Sequence, residues 1–382
     1  MTSGPSRNGV QMAHIWPTWT PERDGGRARA ETGVGTGRLR AGWVAAAVGA
    51  VALATTLGLA VGAVSLPPFA VAAELADHLP LVRLDSGLTT LEADIVWELR
   101  FPRVVLALLV GALLSLAGGA YQGAFRNPLA DPYLLGVAAG AGLGATMAIV
   151  AGFGGGAGTG GATEVALPLA AFAGALTAVS ITYVLGAVGA RERSTASLIL
   201  AGVAVASFFT ALQTYVQQRN DDTLRQVYAW ILGRLGTAGW HEVRLLAPYA
   251  LVAAVILLAQ RRTLDVLSVG DDEAASLGID PARSRAVVVV AASLATAAAV
   301  AVSGLIGFVG IIVPHTIRLL AGSSYRVILP LSMLFGAAFL ALADLLARTM
   351  LAPGEVPIGV ITAFFGAPFF AVVLRTSRRA AS

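Results

Sequence analysis

Residues 104–120 read Val-Val-Leu-Ala-Leu-Leu-Val-Gly-Ala-Leu-Leu-Ser-Leu-Ala-Gly-Gly-Ala, and residues 126–136 read Arg-Asn-Pro-Leu-Ala-Asp-Pro-Tyr-Leu-Leu-Gly. The first stretch carries no charge, and with its apolar neighbours it reaches the roughly 20 residues that a helix needs to cross a bilayer. The two prolines in the second stretch lack amide donors and bias the residues before them away from helix. The pattern therefore predicts a transmembrane helix, a sharp turn and the start of a second transmembrane helix.

Similar apolar runs recur along most of the chain. Of the 382 residues, 56% are hydrophobic and 13% are charged, whereas soluble domains have about 25% charged residues. We therefore predict an all-α polytopic membrane protein with about ten transmembrane helices, in which residues 41–376 form one membrane domain. The predicted spans are 42–64, 100–121, 133–152, 165–189, 195–217, 243–260, 282–303, 306–321, 327–350 and 358–376.

The two termini are predicted to be cytoplasmic. Residues 1–40 are rich in Gly, Thr, Pro and Arg and lack the apolar segment of a cleavable signal. We expect a disordered cytoplasmic tail there, the alternative being an unprocessed propeptide or a misassigned start codon, and a short cytoplasmic tail at residues 377–382. Most arginines fall in segments that this orientation places inside, and the acidic segment 65–99 falls outside. The expected location is the cytoplasmic membrane of the cell.

Several chemistries lack the residues that they require. All 26 basic residues are arginine, and a phosphate-binding P-loop needs a lysine. There is no cysteine for a disulfide or thiolate site, and we find no G-x-S-x-G or H-E-x-x-H motif. The arginines form no pattern typical of nucleic-acid binding. We therefore predict a transport protein that is not an enzyme, holds no metal or cofactor, and leaves any ATP chemistry to another chain.

The motif Arg126–Gly136 resembles the R-N-P-L-A-[DE]-P-x-L-L-G signature of the permease subunits of ABC importers for iron-siderophores, haem and cobalamin (FecCD-type). The resemblance continues through Ser194–Val203, Gly304–His315 and Pro357–Phe369, and covers about residues 95–376. It implies the type II ABC importer permease fold. It also implies the partners: two ATP-binding subunits that use ATP and Mg, a substrate-binding protein, a second copy or homologous permease, and the lipid bilayer. The expected substrate is a ferric siderophore, with haem or cobalamin as the alternative.

The resemblance implies two further sets of site residues. A cytoplasmic gate would comprise Asn127, Leu129, Ser194 and Thr195, for which a plain turn and a helix cap are the alternatives. Three arginines are predicted at outer helix ends, against the usual charge bias, and in the family such arginines bind the substrate-binding protein; they are Arg100, Arg103 and Arg348. The alternative is snorkelling of their side chains to the membrane interface.

Residues 268–280 are predicted to contain a short cytoplasmic helix. Acidic residues in a first turn favour the positive end of the helix dipole, and Gly278 is expected to end the helix. The resemblance implies that this segment couples the permease to the ATP-binding subunit, whereas a capped surface helix is the alternative. The coupling residues would be Gly270, Asp271, Asp272, Glu273, Ala274, Leu277 and Gly278.

A few polar residues within the spans leave alternatives open. Asp344 lies four residues before Arg348, on the same helix face, so the two can pair. An ion-coupled secondary transporter would need such a carboxylate for its coupling ion, and we favour structural pairing. His315 stands alone as a metal ligand, and bonding within the bundle is favoured. Three glutamines could line a polar path or bond between helices: Gln122, Gln213 and Gln217.

Overall fold

The structure is a computed structural model that describes residues 39–62, 64, 66–78, 84–153, 162–187, 195–236, 239–352 and 354–379. Within these residues the chain is helical and contains no strand. The α-helices are α1 Ala41–Ala60, α2 Pro68–Asp77, α3 Thr90–Asp94, α4 Phe101–Ala124, α5 Val137–Ala148, α6 Ala162–Ala187, α7 Thr195–Gln218, α8 Leu224–Ile231, α9 Trp240–Ala259, α10 Arg261–Leu267, α11 Asp271–Ser276, α12 Pro281–Ser303, α13 Val309–Ala321, α14 Tyr325–Thr349 and α15 Ile358–Arg379. Residues 1–38 and 380–382, which hold most of the predicted N-terminal tail and half of the predicted C-terminal tail, lie outside the described residues.

The apolar helices match the ten predicted spans. Among the described residues, seven helices are long and apolar enough to cross a membrane, and three shorter apolar helices accompany them at Val137–Phe153, Val309–Ala321 and Ile358–Val373. The predicted all-α polytopic fold is confirmed. The C-terminal helix continues to Arg379, so residues 377–379 of the predicted tail are helical.

Several predicted boundaries are wrong by a few residues. Helix α5 begins at Val137 and not at residue 133, because Gly136 adopts a left-handed φ of 79° after the proline-containing turn. Helix α13 begins at Val309 and not at residue 306, because Phe308 has a φ of 70° and breaks the helix. Both apolar segments are continuous in sequence but change direction in the backbone, which hydropathy alone does not register.

The segment 65–99, predicted as a loop, contains helices. Helix α2 starts at paired prolines, which suit a first helical turn because their missing amide hydrogens would be unpaired there. Helix α3 starts at a capping box, in which Thr89 accepts from the amide of Glu92 and Glu92 accepts from the amide of Thr89. A π-helical segment, Ile95–Arg100, then continues directly into α4. The segment is therefore folded structure that leads into the membrane domain.

Helix α4 lies at the centre of the bundle, packed against α14, α12, α13 and α9. Helices α4, α12 and α14 are mostly buried, whereas only 22–33% of the membrane-span residues of α1, α6, α7 and α9 are buried. Glycines allow the central helices to approach closely: a Cβ atom on Gly111 would overlap the carbonyl group of Gly336 in α14. At about 1.5 Å per residue, the 24 residues of α4 span roughly 36 Å. We call its two ends the Arg103 end and the Arg126 end of the bundle.

Candidate functional site

An ion-pair cluster joins α4 and α14 at the Arg103 end of the bundle. Arg103 in α4 donates to both oxygens of Asp344 in α14, from Nε at 3.0 and 3.1 Å and from Nη2 at 2.8 Å. It also donates from Nη1 to Glu355 at 2.7 Å. Arg348 lies 3.9 Å from Asp344, so the pair predicted from helical spacing is present but long. The main partner of Asp344 is Arg103, 241 residues away.

Arg100 holds the end of α1 at the same end of the bundle. Its side chain is buried, and its Nη1 donates to the carbonyl oxygens of Leu59 at 2.6 Å and Ala60 at 3.1 Å. Nη2 donates to the carbonyl oxygen of Val64. The last carbonyls of a helix have no partner within the helix, so Arg100 acts as a cap for the C-terminus of α1.

The three arginines predicted to dock a binding protein therefore lie at one end of the bundle, as predicted, with contacts inside the chain. Arg348 donates to the carbonyl oxygen of Gly58 in α1, and Arg103 is turned towards two carboxylates. Glu355, whose side chain is 47% exposed, is the carboxylate nearest to solvent. Hydrogen bonding from Arg103 lowers the pKa of Glu355, which keeps this carboxylate ionised. Docking on the arginines stays a prediction.

The predicted gate loop, residues 126–136, consists of two successive Asx turns. The amide of Leu129 donates to Asn127 Oδ1 at 2.9 Å, and the amide of Tyr133 donates to Asp131 Oδ1 at 2.7 Å. Each Asx residue precedes a proline, so the repeated Asx-Pro-x sequence explains the turns. The Tyr133 hydroxyl anchors the loop by donating to the carbonyl of Ile306 at 2.9 Å.

The other predicted half of the gate is only partly described. Ser194 lies outside the described residues, and Thr195 is the first residue of α7. The gate assignment therefore stays a prediction. His315 in α13 lies beside the carbonyl of Pro128 in the gate loop and packs edge-on against Phe369. Its contacts are those of a residue that bonds within the bundle.

The predicted coupling segment lies at the Arg126 end. A short helix, α11, begins at Asp271 as predicted, and Gly278 adopts a left-handed φ of 77° after it. Ala274 is fully buried and attaches the helix to the bundle, whereas Val269 is 72% exposed and Leu277 is 69% exposed. Large apolar side chains thus flank a strongly acidic helix and lack cover within the described residues.

Ion pairs and hydrogen bonds connect this segment and the preceding helix α10 to the bundle at two points that the sequence did not indicate. Asp271 pairs with Arg126 from the gate loop and with Arg285 from α12. Asp265 in α10 accepts from the hydroxyl of Ser324 at 2.8 Å and from the amide of Tyr325 at 2.5 Å, at the start of α14. Arg126 is 145 residues from Asp271 and Ser324 is 59 residues from Asp265, so no local pattern could have paired these residues; Arg285 is 14 residues from Asp271.

A cavity of about 420 Å³ lies between the start of α5 and α7. Its polar lining is uncharged and consists of Tyr133, Thr210, Gln213, Thr214 and Gln217. Two of the three glutamines considered from the sequence thus line one cavity. The third, Gln122, is buried in α4, and neither side-chain polar atom has a hydrogen-bond partner among the described residues.

Comparison with known proteins shows to which family the chain belongs. The FecCD transport family matches residues 31–376. The chain belongs to the FecCD transport family. This FecCD permease is 42% identical over 286 residues to an uncharacterized ABC transporter permease, YvrB, of Bacillus subtilis, covering 75% of this chain and 80% of the relative. It is also 40% identical over 292 residues to the cobalamin import system permease BtuC of Halobacterium salinarum, covering 76% of each chain.

Two further similarities concern haem and the fold. The hemin transport system permease HmuU of Yersinia pestis is 38% identical over 284 residues, which cover 72% of this chain and 83% of the relative. A solved ABC transporter assigned to the metal-chelate type, in an inward-facing conformation, matches 87% of this chain and 98% of its own with a TM-score of 0.75 and 29% identity. The predicted family and the type II ABC importer permease fold are confirmed. The chain is thus a multi-pass membrane permease of an ABC importer.

Proposed function

We propose that this FecCD permease passes a metal chelate through the membrane when ATP-binding subunits drive movement of α11. The chelate would be delivered by a substrate-binding protein at the Arg103 end, and the pathway would be shared with a second permease copy or a homologous permease. Two ATP-binding subunits would use ATP and Mg at the Arg126 end. This places the Arg126 end and both termini in the cytoplasm.

The exposed apolar residues beside α11 carry this proposal. Asp271, Asp272 and Glu273 form the first turn of α11, and three carboxylates keep such a helix out of the hydrocarbon core. Exposed leucine and valine side chains outside lipid are typical of a surface that another protein covers. Since this chain has no lysine for a P-loop, an ATP-binding subunit is the partner that an ABC permease requires there.

Replacing Leu277 by aspartate is expected to prevent assembly with the ATP-binding subunit. Burial of an unpaired carboxylate at the contact costs several kcal/mol of binding free energy. A loss of about 3 kcal/mol already raises the dissociation constant of the complex more than a hundredfold. Co-purification of the tagged permease with its ATP-binding subunit measures this. Leu91→Asp is the matched control, because Leu91 is equally exposed, at 70%, and lies before the opposite end of α4. Normal assembly of Leu277→Asp would contradict the coupling assignment.

For the substrate, we propose a ferric siderophore, with cobalamin and haem as the alternatives that the relatives favour. All three are metal chelates, and the uncharged polar cavity beside α7 suits a ligand whose metal charge is largely compensated by its chelator. We propose that Gln213 and Gln217 line the path. Uptake of a radiolabelled ferric siderophore into cells, with unlabelled siderophore, cobalamin and hemin as competitors, tests which of the three is the substrate. If only cobalamin or only hemin reduced the uptake, that ligand would replace the siderophore as the proposed substrate.

Ion-coupled secondary transport has little support from the contacts. Asp344 is the carboxylate that such a mechanism would use, and it is engaged by Arg103 and lies beside Arg348. Purified permease in proteoliposomes distinguishes the two mechanisms. Accumulation of a labelled ferric siderophore driven by an ion gradient, without ATP-binding subunits, would favour the secondary transporter.

Glu355→Gln is expected to tighten docking of the binding protein. We propose that acidic residues of the binding protein compete with Glu355 for Arg103. An exposed ion pair contributes about 0.2–1 kcal/mol, so its loss should lower the dissociation constant by up to about fivefold. Surface plasmon resonance with the cognate binding protein measures this. Glu98→Gln is the control, since Glu98 is exposed near the same end and has no side-chain hydrogen bond or ion pair within the described residues. Weaker or unchanged binding of Glu355→Gln would reject the competition.

A further inference from the structure

One carboxylate connects the coupling segment to the gate loop and to a central helix. Asp271 Oδ1 accepts from Arg126 Nη2, and from Arg285 Nη2 at 2.9 Å. The two arginines hold neighbouring backbone as well: Arg126 Nε donates to the carbonyl of Leu267 at 2.7 Å, and Arg285 Nε donates to the carbonyl of Ala124 at 2.8 Å. The cluster thus spans the end of α4, the gate loop, the α10–α11 junction and α12.

Asp271 is the residue on which the whole cluster depends. Two guanidinium groups repel one another unless a negative charge lies between them. Asp271 supplies this charge and is the acidic residue that both arginines contact. Without it, the remaining contacts join each arginine to one backbone carbonyl, and the two arginines would move apart.

The backbone of the gate loop gives a second, independent observation. Arg126 has a φ of 48°, in the left-handed region that residues other than glycine rarely adopt. Such a conformation persists only where the surroundings enforce it, and it is frequent at switch regions. Here Arg126 caps the C-terminus of α4 in a Schellman motif, in which its amide donates to the carbonyl of Gly123 at 3.3 Å and the amide of Asn127 donates to the carbonyl of Gln122 at 3.1 Å. The cap sets the direction in which the gate loop leaves α4, and the Arg126 side chain connects this point to Leu267 and Asp271.

We propose that Asp271 is the positioning residue that transmits movement of α11 to the gate loop, with Arg126 as the receiver in the loop and Arg285 as the anchor on α12. The inference rests on the proposed function of α11. It adds which residue transmits the movement of α11 and which loop receives that movement. When α11 moves, Asp271 pulls Arg126, and the loop 126–136 changes its path; when α11 returns, the same contact returns the loop to its first position.

Spin-label distances in the assembled transporter test this without a transport substrate. The chain has no cysteine, so introduced pairs are unique in it. The pair Leu91→Cys and Ser276→Cys reports on α11, since Ser276 is its exposed last residue, and the pair Leu91→Cys and Leu129→Cys reports on the gate loop. Both distances are measured in the complex with the ATP-binding subunits, before and after addition of a non-hydrolysable ATP analogue. In the otherwise unchanged chain we expect both distances to shift.

The Asp271→Asn variant is expected to keep the nucleotide-dependent shift of α11 and to lose that of the gate loop. Glu98→Gln is the control for loss of one carboxylate, because Glu98 is exposed, lies outside the coupling segment, and has no side-chain hydrogen bond or ion pair within the described residues; both shifts should remain. Asp271→Glu, which keeps the carboxylate, should restore the gate shift. A loop shift retained in Asp271→Asn would overturn the inference while leaving the coupling function intact. Absence of both shifts in the unchanged chain would instead reject the function proposed for α11.

A second pair of variants guards against a local folding defect. Arg285→Gln should also reduce the gate shift, whereas Arg283→Gln should not, because the side chain of Arg283 is exposed and has no hydrogen bond or ion pair within the described residues. ATP hydrolysis by the complex should persist in Asp271→Asn, while uptake of the labelled chelate should fall at least about fivefold, the lower end of typical coupling between sites. Equal loss of hydrolysis and uptake would contradict a role in transmission.

Discussion

Gly118→Ala is expected to disrupt folding of the membrane domain more than other small changes in its core. A Cβ atom on Gly118 would overlap the carbonyl oxygen of Gly310 in α13, so the backbones of α4 and α13 would have to separate. The overlap is with backbone, which cannot rotate away as a side chain can. Gly310 in turn packs against Pro132 of the gate loop, so this separation would also displace the loop.

The expected loss of stability is at the upper end of that for overpacked cores, about 3 kcal/mol or more. Thermal unfolding of the purified permease in detergent measures the effect, with yield of folded protein as a second readout. The neighbouring Gly119→Ala is the matched control: its Cβ would lie 3.1 Å from the Cδ2 atom of Leu329, the end of a flexible side chain. Equal unfolding temperatures for the two variants would show that α4 and α13 are less tightly packed than described.

The fold could be predicted because one physical requirement dominates the sequence. Helices that cross lipid need long apolar runs, and all ten predicted runs correspond to apolar helices. The first residues of α5 and α13 were harder to predict from the sequence. Residues such as Leu134 and Leu135 are apolar but belong to turns of the gate loop, and hydropathy does not distinguish a buried turn from a helix.

The contacts at the two ends of the bundle could be predicted only where they are local. The spacing of Asp344 and Arg348 along one helix predicted a pair, which is present. The acidic first turn of α11 predicted a helix there. By contrast, the contacts of Arg103 with Asp344 and of Arg126 with Asp271 join elements far apart in sequence. The chain contains many carboxylates with which each arginine could pair, and only the packing of the helices determines which one it contacts.

Asp344→Asn is expected to destabilise the permease strongly. Asp344 is 1% exposed and receives three hydrogen bonds from Arg103, with Arg348 as a second, more distant cation. Removal of one member of a buried ion pair leaves uncompensated charge in the interior, which typically costs about 3–5 kcal/mol. Arg103 would keep Glu355 and Arg348 would keep the carbonyl of Gly58, so we expect the lower part of this range.

Unfolding in detergent measures the loss, and a double variant identifies its cause. If the cost arises from unpaired cations, Asp344→Asn combined with Arg103→Met should be more stable than Asp344→Asn alone, because the second change removes the charge that the first one left unpaired. Glu355→Gln alone should change stability little, because Glu355 is largely exposed. A stable Asp344→Asn permease that assembles normally but no longer imports a chelate would contradict structural pairing. Asp344 would then have a direct role in transport, and its ion pair with Arg103 would serve that role instead of stabilising the fold.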